Sequence, residues 1–92
     1  MVEATVAVKN QLGLHARAAA RLVRTASRFQ STLRLERLDG SISADAKSIL
    51  NVLMLGATGG TELRAIADGH DEAEALAALS RMFEDGFGEL RS

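Results

Sequence analysis

The sequence predicts an α+β fold in two layers, with elements in the order βαββαβα. Three observations carry this. Apolar and polar residues alternate near positions 2–8, 32–36 and 61–67; apolar residues recur at helical spacing after Ala16 and after Asp71; and glycines separate the segments.

Taken in order, Val2, Ala4, Val6 and Val8 alternate with Glu3, Thr5, Ala7 and Lys9, the period of two of a strand with one buried face. From Ala16 to about Phe29 the period changes. At roughly 100° per residue Ala19, Leu22, Val23 and Ala26 share one face, and Arg17, Arg21, Arg24 and Arg28 form a stripe nearly opposite. Leu33 and Leu35 then alternate with Thr32, Arg34 and Glu36, and Asp39-Gly40 is the two-residue hairpin signal before a third strand at Ser41 to Ala44. Ser48 caps a short apolar helix from Ile49 to about Leu55, ended by Gly56. A fourth strand, Thr61 to Ala67, follows Gly59-Gly60. Asp71 and Glu74 form a capping-box-like start to the last helix, which buries Leu76, Leu79, Met82 and Phe83 and frays at Gly86 and Gly88. This order leaves strand pairing open, because a ferredoxin-like sheet shares the first six elements.

The chain has 92 residues and neither a long linker nor a repeat, so residues 1–92 are read as one domain, able to bury roughly two-thirds of its unfolded-chain surface and to stand as a monomer. It has no cysteine, which removes disulfides and thiolate metal sites and fits a reducing compartment, the cytosol. No export signal is visible, and the longest apolar stretch, Ile49 to Leu55, is interrupted by Asn51 and far too short to span a bilayer. The net charge of −1 hides an uneven distribution: basic residues line the first helix, while Asp68, Asp71, Glu72, Glu74, Glu84, Asp85 and Glu89 cluster late. The basic stripe suits an acidic partner, or is an ordinary solvated face. Nucleic acid is the weaker partner and is not expected, since the chain is acidic overall and its only aromatic residues, Phe29, Phe83 and Phe87, fall in or near helices and leave no strand platform for stacking bases.

The residues that carry chemistry lie at the first strand–helix junction, Gly13-Leu14-His15-Ala16-Arg17. A helix start is usually capped by Ser, Thr, Asp or Asn, and Gly13 to Ala16 contains none, so the first N–H groups are expected to be open. Open donors, the positive end of the helix dipole and a neighbouring arginine make a place for an anion. His15 stands there. An imidazole ordinarily titrates at about 6.5 and is substantially neutral at physiological pH, so one ring nitrogen can act as a nucleophile. The plain alternative is a turn histidine on the surface. His15 and His70 alone fall short of a metal site, and Lys47-Ser48 follows Ala46 rather than the glycine of a P-loop, so neither a metal nor a nucleotide cofactor is expected.

Gly13 to Arg17 after a first strand resembles the phosphorylation-site signature of HPr, the histidine phosphocarrier family of the bacterial phosphoenolpyruvate-dependent phosphotransferase system. Ala26 to Ser31, Ala46-Lys47-Ser48-Ile49-Leu50 and Gly69-His70-Asp71-Glu72 are similar to further family segments, in order and across almost the whole chain. The resemblance implies an open-faced sandwich: a four-stranded antiparallel sheet of order 1-4-2-3 with three helices on one face. It implies that His15 accepts a phosphoryl group on Nδ1 from phosphorylated enzyme I and passes it to IIA-type acceptors, as an intermediate in transfer rather than an independent catalyst. Arg17 and the backbone N–H groups of Ala16 and Arg17 would hold the phosphate. Ile49, Leu50 and Leu53 would form an apolar docking patch ringed by Arg17, Arg21, Arg24 and Lys47, although apolar residues on so short a helix predict at least one of the three in the core. Ser48 matches the family's regulatory serine, which a dedicated HPr kinase/phosphorylase modifies in some bacteria; helix capping is its simpler role. The loop 56–60 would pack close to the histidine.

Two positions depart from the family pattern. Ala18 stands where a proline usually follows the arginine, and Asn51 where many relatives carry glycine. Ala18 adds a donor and some freedom near the phosphate. Two other readings of the chain remain open here: an HPr-like regulatory module, serving nitrogen or carbon regulation and signalling through His15 or Ser48, and a ferredoxin-like ligand-binding domain, for which no residue marks a pocket.

Overall fold

The periodicities become β1 (Val2–Ala7), α1 (Ala16–Ala26), β2 (Thr32–Arg37), β3 (Ser43–Asp45), α2 (Ile49–Met54), β4 (Glu62–Asp68) and α3 (Glu72–Glu84) in the computed structural model, which describes residues 1–89. The strands form one antiparallel sheet of order β1-β4-β2-β3. This is the arrangement the resemblance implied.

Register follows from burial. Ala4, Ala65, Leu35 and Ala44 stand side by side across all four strands, and Val2, Ala67 and Leu33 form a parallel row. A slip of one residue would turn these rows to the open face. From the helical side Ala19, Leu22, Ala75, Leu79 and Phe83 close over them, large side chains against small ones. The open face is polar: Arg64 lies between Glu3 and Glu36, 3.6 Å and 3.4 Å from their carboxylates, in exposed pairs that contribute little stability.

Local structure departs from the sequence reading in three places. The β2–β3 connection is a four-residue loop, because Arg37 N–H donates to Ile42 O at 3.0 Å and leaves Leu38 to Ser41 as the turn, with Gly40 at φ +76°. Asp71 is the N-cap residue of α3 but makes no side-chain cap bond. Its carboxylate instead accepts from the N–H groups of Gln30 and Ser31, each at 2.9 Å, and from the Ser31 hydroxyl, tying the start of β2 to the start of α3. Glu72, not Glu74, reaches back, accepting from Gly69 N–H at 3.1 Å.

The third departure shapes the site. Gly86 to Gly88 do not fray; they form a 3-10 turn in which Gly86 and Phe87 are buried. Phe87 adopts the left-handed conformation at φ 56°, which is unfavourable for a bulky residue. What holds it is packing and one strap: its ring meets Phe83 edge-to-face at 4.9 Å, and Arg21 of α1 donates to its carbonyl. The chain therefore turns back over α1 instead of running on.

The hydrogen bonds to Asp71, led by that from the Ser31 hydroxyl and followed by that from Gln30 N–H, hold its carboxyl down at about 2. A carboxyl lowered on folding stabilises the fold above its unfolded value and loses that contribution as pH falls through the folded one. Asp71→Asn should therefore melt lower than the parent at pH 7, with the gap closing between about pH 4 and pH 2 as the parent's own carboxyl is protonated. A gap of constant size from pH 7 to pH 2 would contradict this role.

Candidate functional site

Between β1 and α1 the chain makes a tight turn, closed by Gly13 N–H to Asn10 O at 3.1 Å. Gly13 sits at φ +70°, and a Cβ there would lie 2.4 Å from Ala57 O and 2.8 Å from Thr58 Cα, so only glycine lets the turn settle on the loop 56–60. Leu14 N–H donates to Ala57 O at 2.9 Å while the Leu14 side chain is buried. With Leu14 anchored inward, His15 faces outward. Its side chain is 29% exposed.

His15 is itself the cap of α1. Its backbone is extended (φ −76°, ψ −179°) and its Nδ1 accepts from Arg17 N–H at 3.4 Å, so the helix start that the sequence leaves without a conventional cap is capped by the imidazole. Ala19 is the first residue of α1 whose N–H joins the helical ladder, to His15 O at 2.8 Å; the N–H groups of Ala16, Arg17 and Ala18 belong to the open end.

On the other side of the ring, Nε2 lies 2.7 Å from Glu89 Oε2. An Nδ1 that accepts a hydrogen bond carries a lone pair, so the neutral ring bears its proton on Nε2 and donates it to Glu89, an assignment that follows from the bonding pattern. Glu89 Oε1 in turn accepts from Asn10 Nδ2 at 2.9 Å. Asn10 is buried and gives its second amide hydrogen to Gly13 O at 2.8 Å, so both its donors are engaged and the amide cannot flip without facing two acceptors. Burial pushes the Glu89 carboxyl up, but the hydrogen bonds from Asn10 and His15 and the charges of His15 and Arg17 outweigh it and leave the group below its usual range.

Asn10 and Glu89 were not anticipated as site residues. Asn10 left a signal: it continues the inward phase Val2, Ala4, Val6, Val8, where a polar side chain needs a reason. Glu89 left none, since it arrives only through the Phe87 turn.

Of the sequence-predicted site residues, Ala16 and Arg17 are exposed in the first turn of α1 and Arg24 is exposed in its last. Arg21, on the same stripe, is half-buried and bonded to Phe87 O. Lys47 donates from Nζ to Phe29 O at 2.8 Å. Ser48 caps α2, its Oγ accepting from Asn51 N–H at 3.4 Å. Ile49, Leu50 and Leu53 are all exposed, contrary to the expectation that at least one joins the core, because Val52 and Leu55 take the inward positions. Met54, also on α2, extends the apolar surface. Among the described residues, no group of three or more His, Cys, Asp or Glu is placed to hold a metal ion.

The family model for the PTS HPr component phosphorylation site matches residues 2–85. The chain belongs to the HPr family. It is 47% identical over 89 residues to the phosphocarrier protein HPr of Xylella fastidiosa, covering 97% of this chain and 98% of that protein. It is 43% identical over 84 residues to the phosphocarrier protein NPr of Proteus mirabilis, covering 91% and 92%. The crystal structure of HPr from Thermoanaerobacter tengcongensis superposes with a TM-score of 0.90 at 43% identity, covering 97% of this chain and 98% of that one. Glu89 lies beyond the residues that the HPr family model matches.

Gly40→Ala, at φ +76° with open space around it, should lose only about 1 kcal/mol for its left-handed backbone. Gly13→Ala must also displace the backbone of Ala57 and Thr58. It should lose roughly 2–4 kcal/mol in urea unfolding and detach Leu14 from the loop. Equal losses for the two variants would show that the turn does not depend on this close approach.

Proposed function

We propose that His15 is the residue through which this member of the HPr family carries a phosphoryl group, taking it from phosphorylated enzyme I and passing it to IIA-type acceptors of the phosphotransferase system. The observation that carries this reading is the setting of the ring, with Nδ1 facing Arg17 N–H at the open end of α1 and Nε2 against the Glu89 carboxylate.

In the acceptor step the Nδ1 lone pair attacks phosphorus. A phosphoryl group on Nδ1 takes the place of the ring nitrogen in front of Arg17 N–H, so that donor passes from Nδ1 to a phosphate oxygen. The exchange of one bond for another keeps the gain small. A group bearing about −1.5 to −2 charges also gains about 0.3–1 kcal/mol from the helix dipole, with the Arg17 guanidinium within reach of its own first turn. Modest stabilisation suits a carrier, since a group held too firmly would not be released. Ala18, where the family usually has proline, leaves its N–H at the same helix end.

The docking surface in this proposal is the apolar patch of α2, including Leu50, which is 70% exposed, with Arg17 and Arg24 as basic groups on the packed neighbour α1. Arg21 and Lys47, though already bonded within the chain, add positive charge to that side. An apolar centre and a basic margin favour fast, transient association with acidic partners. Ser48 stands at the head of α2, so a phosphate placed there by a kinase would bring negative charge to the patch. In this proposal the carrier works as a monomer in the cytoplasm; no helix among the described residues is long and apolar enough to cross a membrane.

Incubation with enzyme I and phosphoenolpyruvate should add one acid-labile phosphoryl group, seen in the intact mass and chased off by a IIA domain. His15→Ala should take up none, and an adduct retained in His15→Ala would sink the assignment. Ser48→Asp should slow phosphorylation of His15 by at least about tenfold at low salt, equivalent to about 1.4 kcal/mol, with less effect at high salt. An unchanged rate would remove Ser48 from the docking surface.

A further inference from the structure

We propose that Glu89 is a positioning residue for phosphoryl transfer, its carboxylate keeping the proton of His15 on Nε2 and balancing the positive charge that the ring acquires when Nδ1 takes a phosphoryl group. The inference rests on His15 being the acceptor.

The electron count shows why such a group is needed. As the Nδ1 lone pair forms its bond to phosphorus, the donor's bond to phosphorus breaks and its electron pair stays with the donor. The Nε2 proton does not move, and the ring becomes a cation. In the onward step the N–P bond breaks and its pair returns to Nδ1, leaving neutral imidazole. Were the Nε2 proton lost in between, the leaving group would be imidazolate, a far poorer one. A carboxylate that holds the proton and faces the cation therefore favours transfer in both directions, as a buried carboxylate does behind the imidazole of a serine hydrolase.

The geometry meets each requirement. Glu89 Oε2 is 2.7 Å from Nε2, and the Glu89 side chain is 14% exposed, so its charge acts on the ring with little screening. Asn10, buried and tied to the Gly13 turn, donates to Oε1 and fixes the carboxylate's orientation. The left-handed turn at Phe87 and the bond from Arg21 to its carbonyl bring Glu89 over α1. The charged groups around the site are Glu89 on the C-terminal turn and Arg17 and Arg21 on α1, Arg21 being held at Phe87 O; the turn 10–14, the loop 56–60 and α2 carry no charge. Against the burial that pushes it up, the hydrogen bonds from Asn10 and His15 hold the carboxyl below its usual range, which keeps it ionised at neutral pH.

The test compares the full chain with Glu89→Gln and Glu89→Ala, phosphorylated by enzyme I and phosphoenolpyruvate, following transfer to a IIA domain as a function of pH. Gln keeps the shape and a hydrogen-bond acceptor and lacks the charge. In Glu89→Gln the alkaline fall in transfer rate should begin about one pH unit lower than in the parent, so that at the parent's own midpoint the variant is several-fold slower, while melting temperatures agree. Glu89→Ala should show the same displacement. A profile in Glu89→Gln that coincides with the parent's overturns the proposal, and so does loss confined to Glu89→Ala, which would make Glu89 a packing residue. If the parent takes up phosphoryl elsewhere than on His15, the acceptor reading falls and this proposal with it; uptake on His15 with coincident profiles removes Glu89 alone.

Discussion

A helix that starts without Ser, Thr, Asp or Asn has to meet the demands of its first backbone donors in another way, and α1 does so with the imidazole of His15, whose Nδ1 faces Arg17 N–H. That one capping contact determines the rest of the site. It places an unprotonated ring nitrogen where an anion is best received. It puts the proton on the opposite nitrogen and so calls for an acceptor behind the ring. It also requires the preceding residues to approach the loop 56–60 closely enough to hold the ring in place, which is the reason for glycine at position 13. The cap is a long bond, and a phosphate oxygen can replace Nδ1 without the helix start losing a partner.

The surroundings divide into what is rigid and what faces partners. The sheet, the Leu14 anchor, Asn10 and the Phe83–Phe87 pair are buried and fix the ring from below and behind. α2 does the opposite: six residues long and capped by Ser48, it turns only Val52 inward and leaves Ile49, Leu50, Leu53 and Met54 in water. A patch of that kind on an ordinary monomer asks for a partner. The proposed carrier role would give it two in succession, a phosphoryl donor and an acceptor, which must each dock and leave. The basic stripe of α1 serves both ends: Arg17 and Arg24 stay in solvent, whereas Arg21 straps the C-terminal turn.

Much of this was legible before any coordinates. Periods of two and 3.6 located every strand and helix to within a few residues, and the Gly13–Arg17 signature pointed to the ring that proved to cap α1. The sheet order required the family resemblance, since period alone does not pair strands. What could not be read has physical causes. α2 is apolar nearly all round, so no period says which side chains go in; its place beside α1 decides. Asp39-Gly40 signals a turn, but pairing of Arg37 with Ile42 sets its length at four residues. Asp71 is a good capping residue whose oxygens found stronger partners at Gln30 and Ser31, far away in sequence. Glu89 reaches His15 only because a phenylalanine accepts a left-handed backbone in return for burial, and no local propensity announces that. Asn10 was readable as a polar residue in an inward phase.

The central claim is that the ring presents Nδ1 to the helix end and keeps its proton on Nε2. Nitrogen-15 NMR of the His15 ring, recorded before and after phosphorylation by enzyme I, tests it directly. The account predicts an unprotonated Nδ1 and a protonated Nε2 in the neutral ring, then coupling of phosphorus to Nδ1 with the Nε2 proton retained. Phosphorus coupled to Nε2, or a neutral ring protonated on Nδ1, would contradict it.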